Sequence, residues 1–213
     1  MRQGDLCVKF YRLPSEFTSK TRLSVRFEIL LARFCPLLNV NCQEWRYHQR
    51  VLQRLPRELS EVFPEKILPA YSRERGWGIV ESLIRNWDNA PVKSVYTEMR
   101  QSSDLQTKRH LIKAVAELFD QLVKHTVCFY DPPNVLVQWT GPASFQLRIV
   151  DFEPRLRALI PGLSYIRPYV RCKVRRRCRR HLQRLRNTFF IPGSTGVIPA
   201  RSTRMPTSGS TRL

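Results

Sequence analysis

Asn134 and Asp151 are the residues of this 213-residue chain whose types and spacing best suit chemistry. Asp131-Pro132-Pro133-Asn134-Val135-Leu136 reads as a tight turn entering a short apolar strand. Leu147-Arg148-Ile149-Val150-Asp151-Phe152 reads as a second apolar strand ending in a carboxylate, with Gly141 to Ser144 as the turn between the two. An amide oxygen and a carboxylate at the edges of adjacent strands are hard oxygen ligands. Magnesium takes such ligands while keeping phosphate oxygens and water. A strand-end Asp and a turn Asn also have ordinary roles in turns, although an unpaired carboxylate is costly to bury at the end of an apolar strand. Asp131, three residues before Asn134, is the candidate general base, and a plain turn-starting Asp is the alternative.

Lys9 offers a second kind of chemistry. Leu6, Val8 and Phe10 alternate with Cys7, Lys9 and Tyr11, a two-residue period that predicts a strand. A strand lysine engages nucleotide phosphates when a carboxylate fixes its ammonium, and Glu44 on the following helix is the natural partner. A solvent-facing Lys and a surface Glu are the ordinary reading of such residues. Glu81-Ser82-Leu83 ends a later strand. Its backbone would pair with an adenine edge, or would simply connect two lobes.

These residues need elements to hold them. A short helix is expected over Leu23 to Phe34, and Asn41 is placed as the cap of a helix from Cys42 to Leu55 that Pro56 ends. Ile67 to Tyr71 and Trp77 to Glu81 read as strands around a Glu74-Arg75-Gly76 hairpin turn. Leu105 to Lys124 is the clearest helix, with Leu111, Ile112, Val115, Leu118, Phe119, Leu122 and Val123 at three- and four-residue spacing. Short strands are expected at Val127 to Phe129 and Val135 to Val137. A last helix spans Tyr165 to Phe190, with Val170, Val174, Cys178, Leu182, Leu185 and Phe189 as its apolar stripe. From Pro192 on there is almost nothing to bury, so disorder is expected there.

The net charge of +20 is regional. No Asp or Glu follows Glu153, whereas fifteen Lys or Arg do, and the first 153 residues carry 22 basic and 17 acidic side chains. Arg171 to Arg186 could therefore contact polyanions, whether nucleic acid or anionic lipid, although no aromatics are interleaved for base stacking. A basic amphipathic helix packed by its apolar stripe is the plainer reading. The six cysteines form no CxxC pair and lack histidines at zinc-finger spacing. Free thiols in a reducing cytoplasm are expected, and zinc is not. The start of the chain has no apolar signal region. The apolar stretch Val25 to Val40, broken by Glu28, Arg33, Pro36 and Asn39, is too interrupted to span a bilayer.

Taken in order, Cys7-Val8-Lys9, Glu44 with Tyr47 and Leu52, Gly78-Ile79-Val80-Glu81, Trp87-Asp88-Asn89, Pro133-Asn134-Val135-Leu136, Val150-Asp151 and the Arg/Cys-rich final helix resemble the YrbL family. These are protein-kinase-like bacterial proteins named for the PhoP regulatory network. The resemblance covers roughly Leu6 to Phe190, apart from a longer segment between Lys9 and Glu44. It implies an α+β, two-lobed fold, with a reduced N-terminal sheet lobe over residues 1–84 and a mainly helical lobe over 85–191, ahead of the tail over 192–213 whose composition predicts disorder. It also implies ATP and Mg2+ as cofactors, with Lys9, Glu44, Glu81 and Leu83 toward the nucleotide and Asn134 and Asp151 as metal ligands. Asp151-Phe152-Glu153 is similar to the metal-binding triplet of aminoglycoside and choline kinases.

Two departures shape the expectation. Only eight residues precede Lys9, so the glycine-rich phosphate loop is absent and an N-terminal truncation is expected. The position five residues before Asn134, where a kinase-like chain carries its base, is Phe129. The resulting expectation is a degenerate, weakly ATP/Mg-binding member of a bacterial regulatory network, cytoplasmic, with a regulatory protein as partner. The alternatives are a polyanion-binding module built on the arginine helix, or an active small-molecule phosphotransferase.

Overall fold

A hairpin turning at Gly76 organises the first of two compact units. The computed structural model describes residues 6–10, 30–127, 134–150 and 166–190. Within it β2 (Lys66–Ser72) and β3 (Gly76–Ser82) run antiparallel, with Ser72 opposite Gly76. Gly76 has a φ of 77°, a left-handed conformation that glycine adopts without a Cβ penalty. The strand β1 (Leu6–Phe10) pairs antiparallel with the other side of β3, giving the order β1-β3-β2. Pro69 sits in β2, at an edge of this sheet, where its missing N–H is tolerated. Gly78 allows β1 to approach, because a Cβ there would lie 2.6 Å from the Lys9 carbonyl oxygen and 2.6 Å from the Phe10 ring.

Helix α1 (Val40–Arg50) packs on this sheet. Its cap is Asn39 rather than Asn41. Asn39 is fully buried; its side-chain oxygen accepts from the Cys42 N–H at 3.2 Å, and its amide donates to the Ala32 and Trp77 carbonyls at 3.0 Å each. Asn41 instead donates to the Lys9 carbonyl at 3.2 Å. The helix also ends sooner than expected, at Arg50, and a 3-10 turn over Leu52–Arg54 follows. Cys42, Leu52 and Ile79 are buried in this unit. Residues 30–34 are helical, the end of the segment expected over Leu23 to Phe34, while 11–29 lie outside the described residues.

The second unit takes in residues 55–63 and the described residues from Ile84 to Phe190. It contains α2 (Arg57–Ser60), β4 (Lys93–Ser94), α3 (Val95–Gln101), α4 (Leu105–Lys124), β5 (Val135–Trp139), β6 (Phe145–Ile149) and α5 (Arg167–Phe190). The seven apolar residues that predicted α4 are all buried. Its bounds match the expected ones, and Asp104 caps it by accepting from the Gln106 and Thr107 N–H groups. The helix α5 packs on α4 through Val170, Val174, Cys178 and Leu185, with Leu182 and Phe189 half-buried beside them.

A second antiparallel sheet has the order β4-β5-β6, with Val135 opposite Ile149 and Trp139 opposite Phe145. The short elements α2, β4 and α3 were not visible as patterns in the sequence. The strand expected at Val127 to Phe129 does not include Val127, which follows the α4 cap, and residues 128–133 lie outside the described residues, as does the tail 192–213. Fold class is α+β, with two small antiparallel sheets and several helices. Among the described residues no helix is long and apolar enough to cross a membrane.

Candidate functional site

In the first unit, β1 and α1 bring Lys9 and Glu44 together as the sequence suggested. The Lys9 ammonium donates to the two Glu44 carboxylate oxygens, at 3.2 Å to Oε2 and 3.5 Å to Oε1. Local structure explains why. Cys7 and Lys9 share one face of β1, opposite Glu81 and Ile79 on β3, and α1 lies across that sheet. Asn41, Glu44 and His48 are buried at helical spacing on α1. Their polar stripe belongs to the packed side of the helix, so Glu44 needs partners.

It has two. Lys66, at the start of β2, donates to Glu44 Oε2 at 3.1 Å and to Glu81 Oε2 at 2.7 Å. The Lys66 side chain is fully buried and that of Glu44 is 2 % exposed, whereas Lys9 keeps 18 %. Among the described residues, two ammoniums and two carboxylates thus form an ion-paired quartet. Burial by itself lowers the Lys66 pKa, but the Glu44 and Glu81 carboxylates and their hydrogen bonds outweigh it, so the pKa stands above the ordinary lysine value. The Glu81 carbonyl also accepts from Cys7 Sγ at 3.6 Å. Burial above all, and then the Glu81 carboxylate, pushes the Cys7 thiol up to about 11. Beside the quartet, His48 is held below its usual pKa by burial and then by Lys66.

Lys66 is the site residue that sequence reasoning missed, for a geometric reason. Counted back from the hairpin turn, a regular ladder puts Ile67 opposite Glu81. An irregularity between Lys66 and Leu68 adds one residue to β2 and puts Lys66 there instead. Ile67 is left 39 % exposed at the bulge. A charged residue just ahead of the apolar run Ile67-Leu68 gave no sign that it would be buried.

The chemistry of the quartet is limited to its accessible member. Lys66 is enclosed, whereas the Lys9 side chain keeps 18 % exposure and its ammonium is held by Glu44. An ammonium held by a carboxylate is a donor type that phosphate oxygens accept from. Leu83, half-buried, follows β3 as the last residue of the unit, just after the Glu81 that pairs with Lys66.

In the second unit Asn134 is half-buried at the entrance to β5, and its carbonyl accepts from the Val150 N–H at 3.1 Å. This bond continues the ladder one step past Val135–Ile149, so Asn134 stands at the strand edge where the sequence put it. Its amide oxygen is a chemically suitable magnesium ligand. Asp131 and Asp151 lie outside the described residues. No family model, no curated protein and no solved structure matches this chain.

Proposed function

We propose that this chain is a degenerate kinase-like protein that binds Mg-ATP weakly and serves a bacterial regulatory network, as its resemblance to the YrbL family implies. The single observation carrying the reading is the Lys9–Glu44 ion pair between a strand and the following helix. A lysine–glutamate pair of this kind must be in place for a kinase to hold the phosphates of ATP. The order β1-β3-β2 adds support, since it sets the lysine strand directly beside the strand leading to Glu81 and Leu83. Lys9 would orient phosphate oxygens, Glu44 would hold Lys9, and the backbone around Glu81 and Leu83 would meet the adenine. In the second unit Asn134 and Asp151 would ligate magnesium, with Asp131 as a substitute base. Bound magnesium would neutralise phosphate charge.

Phe129 at the usual base position argues for slow turnover, because a missing general base costs about a hundredfold to ten-thousandfold in rate. Calorimetric titration with Mg-ATP tests the reading. Binding is expected to fall at least tenfold in Lys9→Met and to lose its magnesium dependence in Asp151→Asn. Heats that are absent from the parent protein, or the same in both variants, would overturn it.

A further inference from the structure

We propose that the exposed arginine face of α5 binds the phosphodiester backbone of a nucleic-acid duplex. The inference does not rest on the nucleotide reading. Arg171, Arg175 and Arg179 follow one another at four-residue steps, as do Arg176, Arg180 and Arg184, and all six are exposed. Each step advances about 6 Å along the helix, so from Arg171 to Arg184 the two ladders reach about 20 Å, somewhat more than half a turn of duplex. Two ladders of guanidinium groups therefore run along a rigid rod.

Nothing described neutralises them. Arg175, Arg176, Arg179, Arg180, Arg184 and Arg186 form no ion pair with a carboxylate among the described residues. The chain after Glu153 holds no Asp or Glu that could supply one. A groove of about 860 Å³ between α4 and α5 has Lys124, Arg175, Arg179 and Arg186 along it and a single carboxylate, Asp120. Four cations against one anion make it a track for phosphate. Guanidinium groups suit that role, because each can give two parallel hydrogen bonds to one phosphate.

The same surface disfavours the other polyanions. Insertion into a lipid surface needs an apolar face, and the Val170, Val174, Cys178 and Leu185 stripe is buried in the fold. Single strands need rings for bases to stack on. Two of the α5 rings already have partners: Phe189 meets Tyr96 edge-on at 5.2 Å, and Tyr169 lies under the Lys173 ammonium at 5.0 Å. A duplex backbone asks for neither.

The test is fluorescence anisotropy of labelled 20-base-pair DNA and RNA duplexes with the full chain, across 50 to 300 mM KCl. The variant Arg175→Gln/Arg176→Gln/Arg179→Gln/Arg180→Gln is expected to bind at least tenfold more weakly at 100 mM. It should also flatten the log–log salt dependence by about 3 to 4. Lysine at the same four positions should retain the slope, which separates charge from misfolding; far-UV circular dichroism checks the fold. Glutamine at the exposed Arg54, Arg73, Lys93 and Arg100 should change affinity less than twofold. The proposal is overturned if that control weakens binding equally, if a single strand binds as tightly as a duplex, or if anionic phosphatidylglycerol vesicles bind and duplexes do not.

Discussion

Glu44 accepts from two ammoniums, and the two are not equivalent. Lys66 is enclosed and serves Glu81 as well, so Lys66→Met strips a partner from two carboxylates in a buried setting. Breaking such a pair from one side costs about 3–5 kcal/mol. Lys9→Met leaves Glu44 its bond to Lys66 and removes a less buried cation, so a cost of about 1 kcal/mol is expected. Urea denaturation of the two variants measures the difference; equal midpoints would show that the quartet is not organised around Lys66. His181 gives the pH counterpart. Burial first, then the nearby Arg184 charge, holds it at about 4, and its ring sits 6.0 Å from Phe119. The folded chain refuses a proton that the unfolded chain takes below about 6.5. Its contribution is therefore complete above pH 6.5 and is lost on acidification toward pH 4, by up to about 3 kcal/mol. Stability measured at pH 7, 5.5 and 4 should decline less steeply in His181→Gln than in the parent. Lys9 and Glu44 were legible because strand parity and helix order point them at each other. Lys66 was not, because a bulge leaves no trace in an alternation pattern.

Elements were legible in proportion to their length. Seven apolar residues repeating over about three and a half turns left one reading for α4, and both its ends were readable. The seven residues of α3, capped by Ser94 through the Thr97 N–H, are too few for a period to emerge. At α1, two asparagines two positions apart are both good caps by type, and tertiary bonds decide between them. Asn39 ties the helix start to Ala32 and Trp77, whereas Asn41 is committed to β1. The close approach of β1 to β3 yields an element-level prediction. Gly78→Ala must push back the Lys9 carbonyl and the Phe10 ring, at a cost of about 2 kcal/mol. It should also weaken any ligand that depends on Lys9. An alanine variant with parental stability and binding would mean that β1 shifts freely without consequence.

At the scale of the molecule, charge and fold are distributed differently. The described quartet pairs two cations with two anions and is largely shielded, while fifteen basic side chains with no acidic companion lie beyond Glu153. Self-repulsion among them opposes folding most at low ionic strength and is screened over about 10 Å at 0.1 M salt. Raising NaCl from 20 to 300 mM should therefore raise the melting temperature by about 3 °C or more in a calorimetric scan. A fall would mean that attractive surface pairs outweigh the repulsion. The sequence made this asymmetry plain, along with the α+β class. It did not reveal that residues 55–63 belong with the later unit, because a short helical turn has no pattern that names its neighbours.

The irregularity in β2 carries one more implication. The Ser82 N–H donates to the Glu65 carbonyl at 2.9 Å, so the rungs on either side of Ile67 already stand where an uninterrupted hairpin would put them. Ile67 is thus a spare link, and a chain shortened by that one residue would still deliver the same ammonium to the same two acids.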